Sequence, residues 1–523
     1  MKLNYKNIFL SASALILAAC SDFDYDVERP NITHGEADFS KYIALGNSLT
    51  SGFADGTLYR SAQENSYPAI IAKQMKYAGG GEFTQPLMND DIGGFADLFQ
   101  SSGHTAFYGK LELKIVDGSP TPTPSVPKFT LAQTSANGTY NNLGVPGAKS
   151  YHLLAKGYGN PSFLAQGKAN PYFVRFASEP NASVLSEALV QKPTFFTLWI
   201  GNNDVLSYAM SGATGKDQAG NTNVAEYSSN DLSDTQIVVG SIQNLVQALT
   251  QSGAKGAVAN LPFVEDIPYF TTVPAQPLSP LNSDYAAQIE KLNTFYAALN
   301  SVFDALGVPE RKITFSPDQA SGAVIVDKDL KDLSPQIAAA LIQAKIPASE
   351  ARLLAATFGQ TRQSKAGDLL PLTASKTLGK LNNERKALLI KYNISPEKAA
   401  QLSMNGLTYP LQDADVLTQK EVANIHERVN EINQGIQAVA KQFDIAYVDM
   451  NAEMQKLTKG FKFNGVDYNA SFVTGGVFSL DGVHLNSRGY AHTANTFIRA
   501  INQQYKASIP LVDINALPGT QIP

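Results

Sequence analysis

Two short segments, one near each end of the 523-residue chain, carry the residue types of a nucleophilic acyl-transfer site. The first contains Ser48 in the sequence Gly-Asn-Ser-Leu, and the second contains Asp481 and His484 in the sequence Asp-Gly-Val-His. A serine hydroxyl is a weak nucleophile until a base removes its proton, and the base works best when a third group orients it. These three side chains could supply that chemistry if the fold brings the two segments together.

The surroundings of Ser48 favour a functional position, although a serine taken alone is more often a helix cap. The apolar run 42–45 predicts a buried strand, which would leave Ser48 at its C-terminal end, entering a helix. Open α/β sheets hold their ligands at this edge. His484 taken alone would be a hydrogen-bonded turn residue. After it, Asn486 and Ser487 are good N-caps for an amphipathic helix.

Two further segments supply candidate donors for an oxyanion. Residues 141–148 form a glycine-rich loop in which the N–H of Gly147 could approach a ligand. The apolar run 194–200 predicts a strand that ends in Gly-Asn-Asn-Asp, which contains Asn203. Together with the N–H of Ser48, these groups could provide three donors for a tetrahedral intermediate. Taken alone, Gly147 is more simply a turn residue and Asn203 a helix cap.

The four segments, in this order, resemble the motif blocks of the SGNH (GDSL-type) serine hydrolases. The blocks are Gly-Asn-Ser-Leu at 46–49, Asn-Leu-Gly-Val-Pro-Gly-Ala at 142–148, Gly-Asn-Asn-Asp at 201–204 and Asp-Gly-Val-His at 481–484. The resemblance implies that Ser48 is the nucleophile, His484 the general base and then acid, and Asp481 the orienting carboxylate. It also implies an oxyanion hole made by Ser48, Gly147 and Asn203.

The same resemblance implies a fold and a reaction. The fold would be a flavodoxin-like three-layer α/β/α sandwich around a parallel sheet. The reaction would be carboxylic ester hydrolysis through an acyl-enzyme, with no cofactor and no metal. The substrate stays open between a lipid acyl ester and an acylated glycan. A glycan deacetylase, acyl transfer to an alcohol other than water, and a non-catalytic surface binding lipoprotein on the same fold are the alternatives.

One residue departs from the family pattern. The usual Gly-Asp-Ser-Leu is Gly-Asn-Ser-Leu here, with Asn47 in place of the aspartate. Asparagine is nearly isosteric with aspartate but neutral, and it can still form hydrogen bonds within the turn. Because Asp481 remains available to orient His484, we expect activity to survive, with a change in loop rigidity or in the local potential.

Composition and charge exclude several other classes of function. A hydrophobic content of 44% and a charged content of 17% are typical of a folded globular protein. The net charge of −5 and the pI near 5.8 offer no basic surface for nucleic acid. The six histidines form no metal-type cluster with cysteines and no His-Glu-x-x-His pattern, which disfavours a zinc hydrolase.

The N-terminus resembles a bacterial lipoprotein signal over residues 1–20. Lys2 and Lys6 precede a short apolar stretch, and Leu-Ala-Ala-Cys ends at Cys20, the single cysteine of the chain. The resemblance implies that Cys20 becomes lipidated, which would anchor the protein to a membrane of the cell envelope, the outer membrane being expected. The acidic tether 21–39 resembles export signals of surface lipoproteins, which would place the protein outside that membrane. An ordinary secretory signal that contains a cysteine is the alternative.

The spacing of the elements predicts a core built from both ends of the chain, with insertions between. The core would comprise 40–270, with a loop insertion at 77–135, and 409–510. Between these parts, 271–408 would be a proline-rich and helical insertion, either a cap over the site or a structural bundle. Strands alternating with helices predict a parallel sheet covered on both faces. Strands are expected at 42–46, 194–201, 256–262 and 443–450, and core helices at 237–250 and 421–442.

Within the insertions, prolines and caps give local predictions. The four prolines between 120 and 127 predict an extended loop over 116–128. Helices are expected at 334–344, 349–358, 377–392 and 395–404, with Ser334, Ser349 and Ser395 as N-caps.

Overall fold

A central sheet of parallel strands organises the protein. The computed structural model describes residues 32–116 and 118–521, so Cys20 and residues 21–31 of the predicted tether lie outside the described residues. The sheet has five strands, which in chain order are β1 (Tyr42–Gly46), β2 (Asn142–Gly144), β3 (Phe195–Trp199), β4 (Lys255–Ala259) and β5 (Ala446–Val448). Their spatial order is β2-β1-β3-β4-β5. This is the flavodoxin-like strand order, which confirms the predicted fold.

Helices cover both faces of the sheet, as the alternation of strands and helices predicts. The core helices are α1 (Ser48–Ser51), α2 (Tyr67–Met75), α3 (Val184–Val190), α4 (Asn202–Met210), α5 (Thr235–Gln251), α6 (Gln419–Gln442), α7 (Met450–Lys459) and α8 (Ser487–Tyr505). On one face α8 packs against α2 and against the strands β4 and β5. On the other face α5 and α6 pack together, α6 contacts β4 and β5, and α3 contacts β1 and β2.

The two long helices α5 and α6 form where capping residues and an apolar stripe coincide. Asp234 caps α5 by accepting from Gln236 N and Ile237 N, and Thr418 and Glu421 form a capping box at the start of α6. Both helices bury apolar side chains at helical spacing, each of which contributes about 1.5–3 kcal/mol. The predicted helices at 237–250 and 421–442 are therefore present, each extended by about one turn or less at its N-terminus.

The segment between β4 and α6 builds hydrophobic clusters of its own. One cluster surrounds Tyr296, Phe303 and Phe358, and a second surrounds Leu389. A short antiparallel pair, Val324–Val326 with Thr361–Gln363, joins its parts. Its helices are Ser283–Ala286, Ile289–Ala305, Ser334–Gln343, Ala348–Phe358, Ala374–Thr377, Asn383–Lys391 and Pro396–Gln401.

Shorter elements connect the core strands and helices. A second small antiparallel pair joins Phe461–Phe463 to Val466–Tyr468. The shorter α-helices are Arg60–Glu64, Ala96–Ser101, Pro171–Val174 and Pro268–Thr271. Over the described ranges, none of the helices combines the length and the apolarity that a bilayer crossing requires.

The extended loop predicted over 116–128 is wrong, because most of this segment is one arm of a hairpin. Gly109–Val116 pairs with Ser119–Ser125 in antiparallel register. Pro120, Pro122 and Pro124 occupy alternate positions, so their backbone nitrogens, which carry no hydrogen, all face the same side of the strand. A proline is tolerated in an edge strand when that side faces away from the partner.

Three predictions within the helical insertion are also wrong. The helix expected at 377–392 is broken, because Gly379 adopts a positive φ of 72° and the chain then pairs through Leu381 before a new helix starts. Ser349 does not cap its helix, which starts after Pro347 without a side-chain cap. Ser334 is the first helical residue rather than the N-cap. Ser395 does cap its helix, as predicted.

Candidate active site

The turn between β1 and α1 places Ser48 at the C-terminal edge of the sheet. Gly46 ends the strand where a side chain would collide with the Oγ1 atom of Thr50, 2.1 Å from an ideal Cβ. Asn47 caps the short helix α1, and its Oδ1 accepts a hydrogen bond from Leu49 N at 3.0 Å. Ser48 is therefore the first residue of a helix, with 7% of its surface exposed.

The two ends of the chain meet at this edge. The Nε2 atom of His484 lies 2.8 Å from the Oγ atom of Ser48. On its other side the ring's Nδ1 atom lies 2.8 Å from the Oδ2 atom of Asp481. The ring of Phe53 packs beside the imidazole, with 4.6 Å between ring centroids. The three side chains singled out in the sequence thus form one continuous chain of hydrogen bonds.

The surroundings of Asp481 keep its carboxylate ionised. Its Oδ1 atom accepts from the backbone N–H groups of Val483 and His484 at 2.9 and 2.8 Å, and Oδ2 accepts from Gly56 N at 3.0 Å. Burial raises the pKa of this carboxyl, but His484 and the N–H donors lower it by more, so it lies well below its usual range. A carboxylate can only accept, so Nδ1 of His484 carries the proton and Nε2 is free to accept from Ser48.

A turn that follows the nucleophile holds Asp481 in place, a contact that no sequence pattern indicated. Asp55 sits in this turn with a positive φ of 51°. Its Oδ1 atom accepts from Leu480 N at 2.9 Å, and its Oδ2 atom accepts from the hydroxyl of Tyr59 at 2.6 Å. The backbone N–H of Asp55 donates to the hydroxyl of Ser479 at 2.9 Å. The turn is therefore bonded to both residues that precede Asp481.

The candidate oxyanion donors come from neighbouring segments of the same edge. Asn203, in the first turn of α4, lines the same cleft as Ser48, and its amide nitrogen donates to the carbonyl of Ala148 at 3.0 Å. Gly147 follows β2 and has a φ of 79°, a conformation suited to glycine. Val145 N donates to the carbonyl of Gly46 at 3.0 Å, which fixes this loop beside the nucleophile turn. Gly147 is not among the described residues that line the cleft.

The aspartate of the Gly-Asn-Asn-Asp block has a structural task that the sequence did not indicate. Asp204 is fully buried, and its carboxylate accepts from the N–H and the hydroxyl of Ser150 at 2.7 and 3.1 Å. Burial raises the pKa of this carboxyl. These bonds tie the loop that carries Gly147 to the helix that carries Asn203, so they set the relative position of the two candidate donors.

A cleft with an empty volume of about 910 Å³, including the solvent at its mouth, opens beside Ser48 and His484. Core elements line it, and the segment 271–408 does not contribute to its wall among the described residues. That segment instead reaches the loop of Asp481 through Tyr269: Tyr269 N donates to the carbonyl of Gly482, and Leu372 N donates to the carbonyl of Tyr269. In the described ranges no group of three or more His, Cys, Asp or Glu side chains could hold a metal ion.

Comparison with known proteins gives matches among solved structures only. No protein-family model and no curated protein matches the chain. An acetyl-xylooligosaccharide esterase mutant from Geobacillus is 11% identical and covers 52% of this chain and 82% of its own, with a TM-score of 0.18. A catalytic mutant of an acetylxylan esterase from Geobacillus stearothermophilus is 11% identical, with coverages of 54% and 89% and a TM-score of 0.19.

A third match is a protein from Parabacteroides merdae described as a GDSL-like lipase. It is also 11% identical, with coverages of 61% and 98% and a TM-score of 0.19. Similarity at this level leaves the assignment of an activity to the geometry of the site.

Proposed function

We propose that this protein is a serine carboxylic ester hydrolase of the SGNH type. The observation that carries the proposal is the unbroken hydrogen-bond chain from the Ser48 hydroxyl through His484 to Asp481, with 2.8 Å at each step. The four motif blocks resemble that family, and the flavodoxin-like sheet places Ser48 at the edge where such folds bind ligands. A non-catalytic binding protein has no need of this alignment.

In the proposed reaction, the Oγ atom of Ser48 attacks the ester carbonyl while its proton passes to Nε2 of His484. The N–H groups of Ser48 and Gly147 and the amide of Asn203 stabilise the oxyanion. The tetrahedral intermediate then collapses, the C–O bond to the alcohol breaks, and His484 returns the proton to the departing alcohol. Water repeats the sequence on the acyl-enzyme and releases the acid, which restores Ser48.

We also propose that the enzyme is anchored to the cell envelope through lipid on Cys20. The support is the signal pattern of residues 1–20 and the position of Cys20 directly after Leu-Ala-Ala. Labelled palmitate should enter the wild-type protein, and Cys20→Ala should block the labelling and move the protein out of the membrane fraction. An unlabelled wild-type protein would contradict the proposed anchor and leave the esterase proposal untouched.

Hydrolysis of p-nitrophenyl esters by the purified full-length chain tests the esterase proposal. Ser48→Ala should abolish turnover, and Ser51→Ala serves as the matched control. Ser51 lies on the same short helix, is also buried, and bonds to the Ser48 carbonyl rather than to His484. Turnover that survives Ser48→Ala would contradict the proposal. If added glycerol or sugars divert product from the free acid, acyl transfer to an alcohol competes with hydrolysis.

A further inference from the structure

The cleft beside Ser48 has a wall that is mostly apolar. Its polar members near the nucleophile are Asn47, Asn202, Asn203 and His484. Away from them, α4, α6, α7 and the loop after β4 contribute aliphatic, thioether and aromatic side chains. Among them are Val205, Phe263, Val429, Met450, Met454 and Leu457.

The cleft extends well beyond the space that a small acyl group fills. Met450, Met454 and Leu457 line it along α7; the first and last are seven positions apart, and a helix rises 1.5 Å per residue. The wall therefore follows this helix for about 10 Å. On α8 it continues from Gly489 to Thr493. An acetyl group held at Ser48 would leave most of this apolar surface uncovered.

The carboxylate of Glu453, which lies in the wall, is already paired. Glu453 and His492 both line the cleft, and an ion-pair contact of 2.9 Å joins Oε1 of Glu453 to Nε2 of His492. Lys456 pairs with the same carboxylate at 3.1 Å, and the ring of Phe461 stacks on the imidazole with 4.6 Å between centroids. Glu453 therefore presents no free carboxylate to a ligand. The wall therefore suits a hydrocarbon chain.

We propose that the substrate is an ester of a medium-length fatty acid, and that its acyl chain occupies this cleft. The proposal rests on the esterase function proposed above. The acyl half fits better than the alcohol half, because the alcohol must leave before water attacks the acyl-enzyme. A hydrocarbon chain buried in this cleft leaves slowly, so the cleft suits the half that stays bound to Ser48 through the second step.

A series of p-nitrophenyl esters from acetate to decanoate tests the proposal on the purified full-length chain. Each methylene buried in an apolar cleft should raise kcat/KM about fourfold until the cleft is filled. The wild-type ratio of kcat/KM for octanoate over acetate should then be at least about a hundred. A matching series of fatty alcohol acetates should show a much weaker dependence on chain length.

Met454→Trp fills the cleft and should lower the octanoate-to-acetate ratio at least about tenfold. Leu388→Trp, on an exposed helix of the insertion, is the control of equal size and should keep the wild-type ratio. Leu457→Phe is a smaller obstruction for the case in which Met454→Trp does not fold, and it should lower the ratio in the same direction.

The outcomes separate this proposal from the one on which it rests. Turnover that is highest on acetate and falls with chain length, with Ser48 still required, would overturn the fatty acyl assignment and keep the esterase. An equal ratio in wild type and both cleft variants would also overturn it. An absence of hydrolysis on every ester, together with a Ser48 that does not react with a fluorophosphonate, would overturn both proposals.

Discussion

The side-chain amide of Asn47 donates a hydrogen bond to the Oδ1 atom of Asn202 at 2.9 Å. The orientation of Asn47 is fixed, because its own Oδ1 atom accepts from Leu49 N. The bond joins the residue before Ser48 to the residue before Asn203. An aspartate at position 47 could only accept, so the same bond would form only if the Asn202 side chain rotated and donated its amide instead.

The hydrogen bond between Asn47 and Asn202 predicts how a negative charge at either position affects kcat/KM. Asn47→Asp and Asn202→Asp should each keep kcat/KM within about threefold of wild type, because in the first the Asn202 amide can rotate to donate and in the second Asn47 already donates. The double variant faces two carboxylates across the same bond, which disfavours one of the charges. It should lose about tenfold or more beyond the product of the single effects at neutral pH, with partial recovery in mild acid. Additive effects in this double-mutant cycle would contradict the arrangement.

Asp55 is expected to act as a positioning residue for Asp481. Asp55→Ala removes the acceptor for Leu480 N and should lower kcat by about tenfold to a hundredfold while KM changes little. Asp55→Asn keeps one acceptor oxygen for Leu480 N and should fall between wild type and alanine. The rate of fluorophosphonate labelling should fall in parallel with kcat. A loss of thermal stability with an unchanged labelling rate would show a structural role only.

Asn203 is expected to matter in the transition state rather than in binding. Asn203→Ala should lower kcat by about 100- to 1,000-fold with a small change in KM, because an oxyanion donor acts on charge that develops during the reaction. The comparison variant is Asn89→Ala, whose amide donates to the carbonyl of Gln133 at an exposed position away from the site. An effect confined to KM would contradict the assignment of Asn203.

The Glu453–His492 pair predicts a pH dependence of stability. His492 is the main cause of the lowered Glu453 pKa, which falls to about 2 from a usual value of 4.5. Between these values the unfolded chain binds more protons than the folded one, so this contribution is complete above about pH 4.5 and disappears as the pH falls toward 2. The stability difference between wild type and Glu453→Gln, from urea unfolding, should therefore shrink from pH 5 to pH 3. A constant difference would contradict the ion pair.

The parts of the structure that the sequence predicted depend on local patterns. A short window of sequence is enough to recognise the apolar run before Ser48, the three-residue spacing of Asp481 and His484, and the amphipathic stripes of α5 and α6. Those patterns predicted four of the five strands and the parallel sheet, whereas the flavodoxin-like fold was implied by the family resemblance.

The parts that were missed depend on contacts between distant segments. Nothing local distinguishes Asn202 from other polar residues; its role depends on the hydrogen bond with Asn47, 155 positions earlier. The role of Asp55 depends on its hydrogen bond with Leu480 N, 425 positions away in the chain. The hairpin at 109–125 was misread because alternate prolines look like an extended loop unless the partner strand is known. In each case the partner, rather than the residue itself, decides the structure.

Mass spectrometry of the full-length chain after reaction with a fluorophosphonate tests the central claim most directly. A single adduct should form on the peptide that contains Ser48, and His484→Ala should slow its formation by several orders of magnitude, because the base that removes the proton is gone. An adduct on another serine, or labelling of Ser48 that does not depend on His484, would contradict the proposed site.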